Sequence, residues 1–242
     1  MEIVYFDWMR TKSLNKSKAE LMLFLVFFLC SGCSPNSSSD RKRQSERITD
    51  TDGNVYTSVV IGSQVWMTQN LRTTHYNNGD PIPLVSNDGE WGSIEDGAYC
   101  VYSNERKYGK RYGNLYNWHA VSDRRGICPQ GWHIPSDEEW QVLSDFLGGD
   151  KVAGDKMKET GTRHWAEPNS GASNISGFTA LPGGGRDEFG QFIVDRYGCH
   201  WWSSTISGSV DVRVRSIYFG YGSIMTDEYH PNSGFSVRCL KD

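Results

Sequence analysis

Residues Cys128–Leu143 read CPQGWHIPSDEEWQVL, and this stretch decides the fold. Ser136 is followed three positions later by Glu139, the spacing of a capping box, in which hydroxyl and carboxylate each satisfy one orphan backbone N–H of a helix's first turn. Asp137 and Glu138 place negative charge at the positive end of the helix dipole, and Gly148 with Gly149 stops the run. Trp140, Leu143, Phe146 and Leu147 recur at helical spacing, which predicts one buried face. A weaker second helix is predicted over residues 150–159, with Val152 and Met157 inward and an end at Gly161.

The chain on either side has β-like character. Upstream, Asp52-Gly53 is a turn signal, and Val55–Ile61 and Gln64–Leu71 form a hairpin around Gly62-Ser63. Arg72–Gly97 has no sustained period and reads as a long ordered loop, Ala98–Tyr102 as a short strand, and Tyr112–Val121 as strand or short helix. Downstream the sequence is Gly-rich, with strands predicted at Gly177–Leu181, Gln191–Asp195, Trp201–Ser204, Val210–Phe219 and Phe235–Leu240. No period of a repeat array is visible. The expected class is α+β: loop-rich, with one or two helices packed on short, mostly antiparallel sheets.

Composition agrees. Of 242 residues, 26 are Gly and 13% aromatic, so large rings can fill a core that has few helices. A net charge of −4 gives no basic footprint for nucleic acid. Apolar residues at 37% exclude a disordered chain.

The N-terminus reads as an export signal. Lys12, Lys16 and Lys18 precede the apolar run Leu21–Leu29, about half the length a membrane-spanning helix needs. Leu29-Cys30-Ser31-Gly32-Cys33 follows, and small residues before a cysteine resemble a bacterial lipobox. Cys33 is the expected lipid attachment site, since bulky Leu29 precedes Cys30. The expected organisation is a signal peptide at 1–32, with Met9 as an alternative start, lipidated Cys33 and a polar tether at 33–47, and one domain at 48–242. That leaves Cys100, Cys128, Cys199 and Cys239 in an exported domain, where four cysteines allow three pairings. A Cys128–Cys239 pair would close a loop of about 110 residues and stabilise by on the order of 4 kcal/mol in the chain-entropy model; Cys100–Cys199 would then be the second bridge.

The string at Cys128–Leu143 resembles the Fibrobacter succinogenes major paralogous domain of Bacteroidetes and Fibrobacter lipoproteins. VWMTQNLR (65–72), YGNLYNWHAV (112–121), GFTALPGG (177–184), WWSST (201–205) and SVRCLKD (236–242) extend the resemblance over roughly residues 50–242. The same blocks look like the C-type-lectin-like fold as used by formylglycine-generating enzymes, a likeness of fold and not of activity. That likeness implies neighbouring termini, in keeping with a Cys128–Cys239 bridge, whereas Cys199 departs from the family's usual residue before the Trp pair. The family implies a lipid-anchored protein of the cell envelope, in the outer membrane.

Ligand candidates follow from the lectin-like reading. Glu167-Pro168-Asn169 spells the tripeptide that binds calcium and sugar in mannose-type C-type lectins, with Asn174, Asp187 and Glu188 as further oxygen donors, although the strand after it lacks Trp-Asn-Asp. Its simpler reading is a structural turn. Trp165, Trp201 and Trp202 could stack on pyranose faces, or pack in the core. The six histidines are scattered without a serine elbow or a metalloprotease helix, and His133 reads as a buried hydrogen-bonding residue. Formylglycine-generating chemistry would need two reactive cysteines together, and only Cys199 and Cys239 lie in the C-terminal part. The expectation is therefore a non-enzymatic envelope lipoprotein whose domain binds glycan or protein. It needs no cofactor unless calcium sits at Glu167 and Asn169, and its other partner is the membrane. The alternatives are a structural or adhesive subunit of a fimbria-like surface assembly, or an enzyme on the same fold.

Overall fold

A computed structural model describes residues 47–242 except Asp195 and Ser209. The expected signal segment, Cys30, the lipid site Cys33 and the tether through residue 46 lie outside the described residues. Among the described residues, no helix is long and apolar enough to cross a membrane.

Short antiparallel sheets and few helices make up the domain, the α+β pattern expected. The hairpin Ser58–Ile61 and Gln64–Met67 turns at Gly62-Ser63 as predicted. Leu240–Lys241 joins it from the far end of the chain and Trp132–His133 completes four strands, so Leu240 lies between Trp66 and His133. The last strand of the domain is thus held beside one of its first. A second sheet is a meander of Gly198–Ser207, Asp211–Tyr218 and Ile224–Tyr229. Three two-stranded ribbons account for the remaining strands: Ile48–Thr49 with Val55–Tyr56, Tyr99–Cys100 with Leu115–Tyr116, and Gly185–Arg186 with Phe192–Ile193.

The helix Asp137–Phe146 carries the capping box read from the sequence: Glu139 N–H donates to Ser136 Oγ at 3.2 Å and Ser136 N–H to Glu139 Oε2 at 2.8 Å. His133 holds the box from outside, its Nε2 3.0 Å from Glu139 Oε1 and its Nδ1 2.7 Å from Asp242 Oδ1. It is half-buried, not buried. Asp137 ties the helix to the meander, accepting from Arg213 Nη1 and Arg215 Nε at 2.7 Å each. Trp140, Leu143 and Leu147 enter a core of rings, with Trp140 4.6 Å from Trp66 and 5.7 Å from Trp201 between ring centres.

Several expectations need correction. Phe146 is 64% exposed. In the second helix, Asp150–Met157, Val152 faces outward and Ala153 joins Met157 inside. Residues 177–181 are irregular, with a single bridge at Ala180 and no strand, and Phe235–Leu240 makes isolated bridges at Phe235 and Ser236 and joins a ladder only at Leu240. The loop at 72–97 contains a short helix, Asp88–Ser93, and another, Arg106–Tyr112, precedes the aromatic segment. Within that segment both readings are realised, Leu115–Tyr116 as strand and Trp118–Val121 as helix.

Cys128 and Cys239 form a disulfide with their Cα atoms 6.0 Å apart. Cys100 and Cys199 do not pair: both are free and buried, Cys100 among Trp91, Tyr102 and Leu115, Cys199 in the separate Trp140 and Trp201 cluster. Burial pushes the Cys100 thiol up to about 12 and raises that of Cys199 further.

Candidate functional site

The residues that the lectin-like reading favoured are not gathered into a site. Trp165, Trp201 and Trp202 are fully buried, so none offers a face to a sugar. Each indole N–H is used internally: Trp165 donates to Ala180 O at 3.0 Å, Trp201 to Asn70 Oδ1 at 2.9 Å and Trp202 to Tyr116 O at 2.7 Å. Asn169 is buried, and its Nδ2 bonds Glu159 O at 2.9 Å and Gly161 O at 2.7 Å, which are turn contacts. The oxygen-rich spot beside it holds an ammonium: Lys158 Nζ donates to Ser170 O at 2.7 Å and Tyr221 O at 2.8 Å and pairs with Asp155 Oδ1 at 3.2 Å. Glu167 lines a shallow depression with Arg196 and Tyr197, whereas Asn174 lines a different one with Phe146 and Ile175. Asn174 also pins Thr179, accepting from its N–H at 2.8 Å. Asp187 closes a turn by accepting from the N–H groups of Phe189 and Gln191. Among the described residues, no group of three or more His, Cys, Asp or Glu side chains is placed to hold a metal ion.

A different surface has the form of a site. Two clefts sharing Arg72 and Lys110 adjoin on one side of the domain, an outer one of about 670 Å³ and an inner one of about 130 Å³. The outer cleft is walled by exposed Leu84 and half-buried Tyr99, with Asn54, Asn104 and Asn114 around them. Each amide nitrogen is committed to the protein, Asn54 Nδ2 to Asp50 Oδ2 at 2.9 Å, Asn104 Nδ2 to Ser86 O at 3.0 Å and Asn114 Nδ2 to Arg72 O at 3.0 Å. This fixes the amide orientations and leaves three side-chain oxygens with accepting capacity.

Local structure explains how the cations converge. Arg72 leaves the hairpin, lies 5.2 Å above the Tyr56 ring and donates from Nη2 to Val55 O at 3.2 Å; its buried Nε has no acceptor. Arg106 and Lys110 stand one turn apart on the helix Arg106–Tyr112, with Arg111 beside them. That helix ends on Gly113 at φ +88°, where a Cβ would meet Asn70 Cβ at 2.6 Å, so only glycine lets the chain turn so close to Asn70. Arg238 arrives from the C-terminal segment as a wall of the inner cleft and is 1% exposed. Its Nε and Nη2 donate to Asn70 Oδ1 at 2.9 and 2.7 Å, and its Nη1 to Met67 O at 3.1 Å and Phe178 O at 2.7 Å. All three acceptors are neutral. Burial accordingly pushes the Arg238 pKa down to about 9.

The sequence reading passed over this surface, because its residues come from six separated stretches. The one local signal was the basic run RKYGKRY at 106–112.

Fold and site together define a small, disulfide-tied α+β domain that carries a cationic double cleft. The chain belongs to the Fibrobacter succinogenes major domain family, whose sequence model matches residues 59–241. Membership points to a surface-associated domain. No curated protein and no solved structure matches the chain.

Proposed function

We propose that the protein is a non-enzymatic lipoprotein of the bacterial cell envelope, anchored through Cys33 after removal of residues 1–32, in the outer membrane. Its domain, C-type-lectin-like in organisation, binds a glycan or surface-protein ligand in the outer cleft. The observation that carries this reading is the cleft itself: about 670 Å³, open, with Tyr99 and Leu84 as apolar walls and three oriented amides around them, the mixture that ligand sites combine. The lectin-like part draws support from the pairing of Leu240 with Trp66 beside the capped helix. The formylglycine-generating alternative is opposed by the cysteines, since Cys199 is buried and Cys239 is in the disulfide.

The full chain, purified in detergent, should bind a subset of a glycan array, and Tyr99→Ala should abolish that binding. Running the array with and without calcium tests whether Glu167 and Asn169 hold a metal; no binding in either condition would sink the glycan-binding reading. Replacing Cys33 by Ala should release the protein from membranes, and persistence in the membrane fraction would exclude Cys33 as the anchor.

A second reading, a subunit of a surface assembly, is favoured by one feature. Val60, Phe146 and Ile175, each exposed, line a common depression. It predicts self-association that Phe146→Ser weakens.

A further inference from the structure

Arg72, Arg106, Lys110, Arg111 and Arg238 wall the two adjoining clefts, and among the described residues no carboxylate lines either one. This departs from the rest of a chain whose net charge is −4. Elsewhere the buried or half-buried cations that pair do so with carboxylates: Arg125 with Asp80 and Asp123, Arg186 with Asp88, Arg213 and Arg215 with Asp137, and Lys158 with Asp155. Among the described residues, none of the five cleft cations has such a partner. Like charges gathered without a counter-charge repel, and a buried guanidinium held only by neutral acceptors has lost water that nothing charged replaces. Arg238 is in that position. Its flat face is covered by Phe178, 4.3 Å from the guanidinium carbon to the ring centre, which favours the cation but does not neutralise it. Its four hydrogen bonds use one of the two Nη2 hydrogens, so the second has no protein acceptor. Arg72 Nε, in the residue shared by both clefts, is a further buried donor without a partner.

Size and chemistry then separate the two clefts. The inner one, about 130 Å³, has room for one oxyanion group with a few waters beside it, a water occupying roughly 30 Å³ of liquid, and is too small for a sugar ring as well. The outer one has the apolar walls and amide acceptors that a sugar ring with its hydroxyl donors requires. We infer that the double cleft binds an acidic saccharide, its ring against Tyr99 in the outer cleft and its carboxylate or sulfate in the inner cleft against Arg72, Lys110 and Arg238. This rests on the reading of the outer cleft as the ligand site and adds the ligand's charge. Arginine forks suit planar or tetrahedral oxyanions, and the bonds formed are charge-assisted.

The test is titration of the detergent-purified full chain with three polysaccharides: dextran (neutral), polygalacturonate (carboxylate) and dextran sulfate (sulfate ester). Binding to one or both acidic polymers, with dextran at least about tenfold weaker and affinity falling with salt, is expected. The two acidic arms tell which oxyanion is taken. Because Arg238 is buried in the core, the variant used is Lys110→Gln with Arg111→Gln, both exposed lining residues. It should weaken acidic binding by about tenfold with an unchanged unfolding midpoint. The control, Lys151→Gln with Arg163→Gln, removes two exposed cations outside both clefts and should leave binding unchanged. Equal loss in variant and control would mean diffuse attraction and would overturn the inference, as would tight dextran binding that the variant leaves intact. The latter result would leave the outer cleft standing as a neutral glycan site, whereas binding to no saccharide would overturn the inference and leave only a protein ligand for the outer cleft.

Discussion

His200 shows how one buried side chain makes the stability of the domain depend on pH. Its ring is fully buried, with centre distances of 5.0 Å to Phe235, 5.7 Å to Tyr218 and 5.9 Å to Tyr229, and its Nδ1 is 2.7 Å from Ser216 Oγ. Burial lowers its pKa from 6.5 to about 4, because no negative group offsets the lost hydration of the imidazolium. Between those two values the unfolded chain takes up a proton that the folded domain refuses, so stability falls as pH drops through the window. The loss from this residue approaches about 3 kcal/mol by the bottom of the window. Urea unfolding at pH 7 and pH 4.5 should show it, and His200→Gln should flatten the dependence by close to one proton; an unchanged dependence would mean that His200 is not the acid-labile group. Nothing in the sequence around position 200 separates this histidine from the other five, because its burial is made by rings at 218, 229 and 235. The tryptophans were more legible: a Gly-rich chain with few helices must fill its core with rings, and Trp201 and Trp202 do so.

At the element scale, the capping-box helix was readable in full at its start because its signals are local. Its two first-turn contacts differ greatly in energetic weight. Ser136→Ala removes one cap bond that water can partly replace and should cost about 1 kcal/mol. Asp137→Asn strips the near carboxylate from Arg215, whose side chain is 2% exposed, and should cost about 3 kcal/mol because the buried guanidinium keeps only Asp150, at 3.9 Å, as a counter-charge. Denaturant midpoints of the two variants check the order; similar losses would mean that Arg215 finds another acceptor. The misread helix faces have a geometric cause. At about 100° per residue Phe146 lies about 120° around the helix from Trp140, at the edge of the stripe that Leu143 and Leu147 complete. Val152 is likewise about 140° from Met157, whereas Ala153 is about 40° away. Gly154, next on that face, lets the second helix press onto the meander, where a Cβ would come within 2.6 Å of Ser223 O. The strand Ile224–Tyr229 escaped notice because it is an edge strand carrying Thr226, Asp227 and Glu228, and charge on an edge hides the apolar alternation while discouraging pairing with another chain.

For the whole molecule, long-range closures organise what local signals cannot. Leu240 pairs with Trp66 and His133, Arg238 bonds Asn70 and Phe178, and Trp201 reaches Asn70, so the last few residues lock segments that lie far apart in sequence. The cationic cleft is a product of those same closures, which is why its residues formed no motif, whereas family blocks and cysteine count could be read directly. The disulfide is the covalent form of this closure. Cys128 and Cys239 are 111 residues apart, so the bridge removes much of the freedom of the unfolded chain and little from a folded state in which Leu240 is already paired. Replacing both cysteines by Ala should lower stability by on the order of 4 kcal/mol while leaving the fold, since the neighbouring strand pairs and the Trp66–Trp140 contact persist. Urea unfolding with and without reductant distinguishes this bridge from any other. The wild-type protein should lose about as much stability on reduction as the double variant lacks, and the variant should be insensitive to reductant. A variant that still weakened on reduction would mean that Cys100 and Cys199 pair in solution, contrary to their burial in separate clusters.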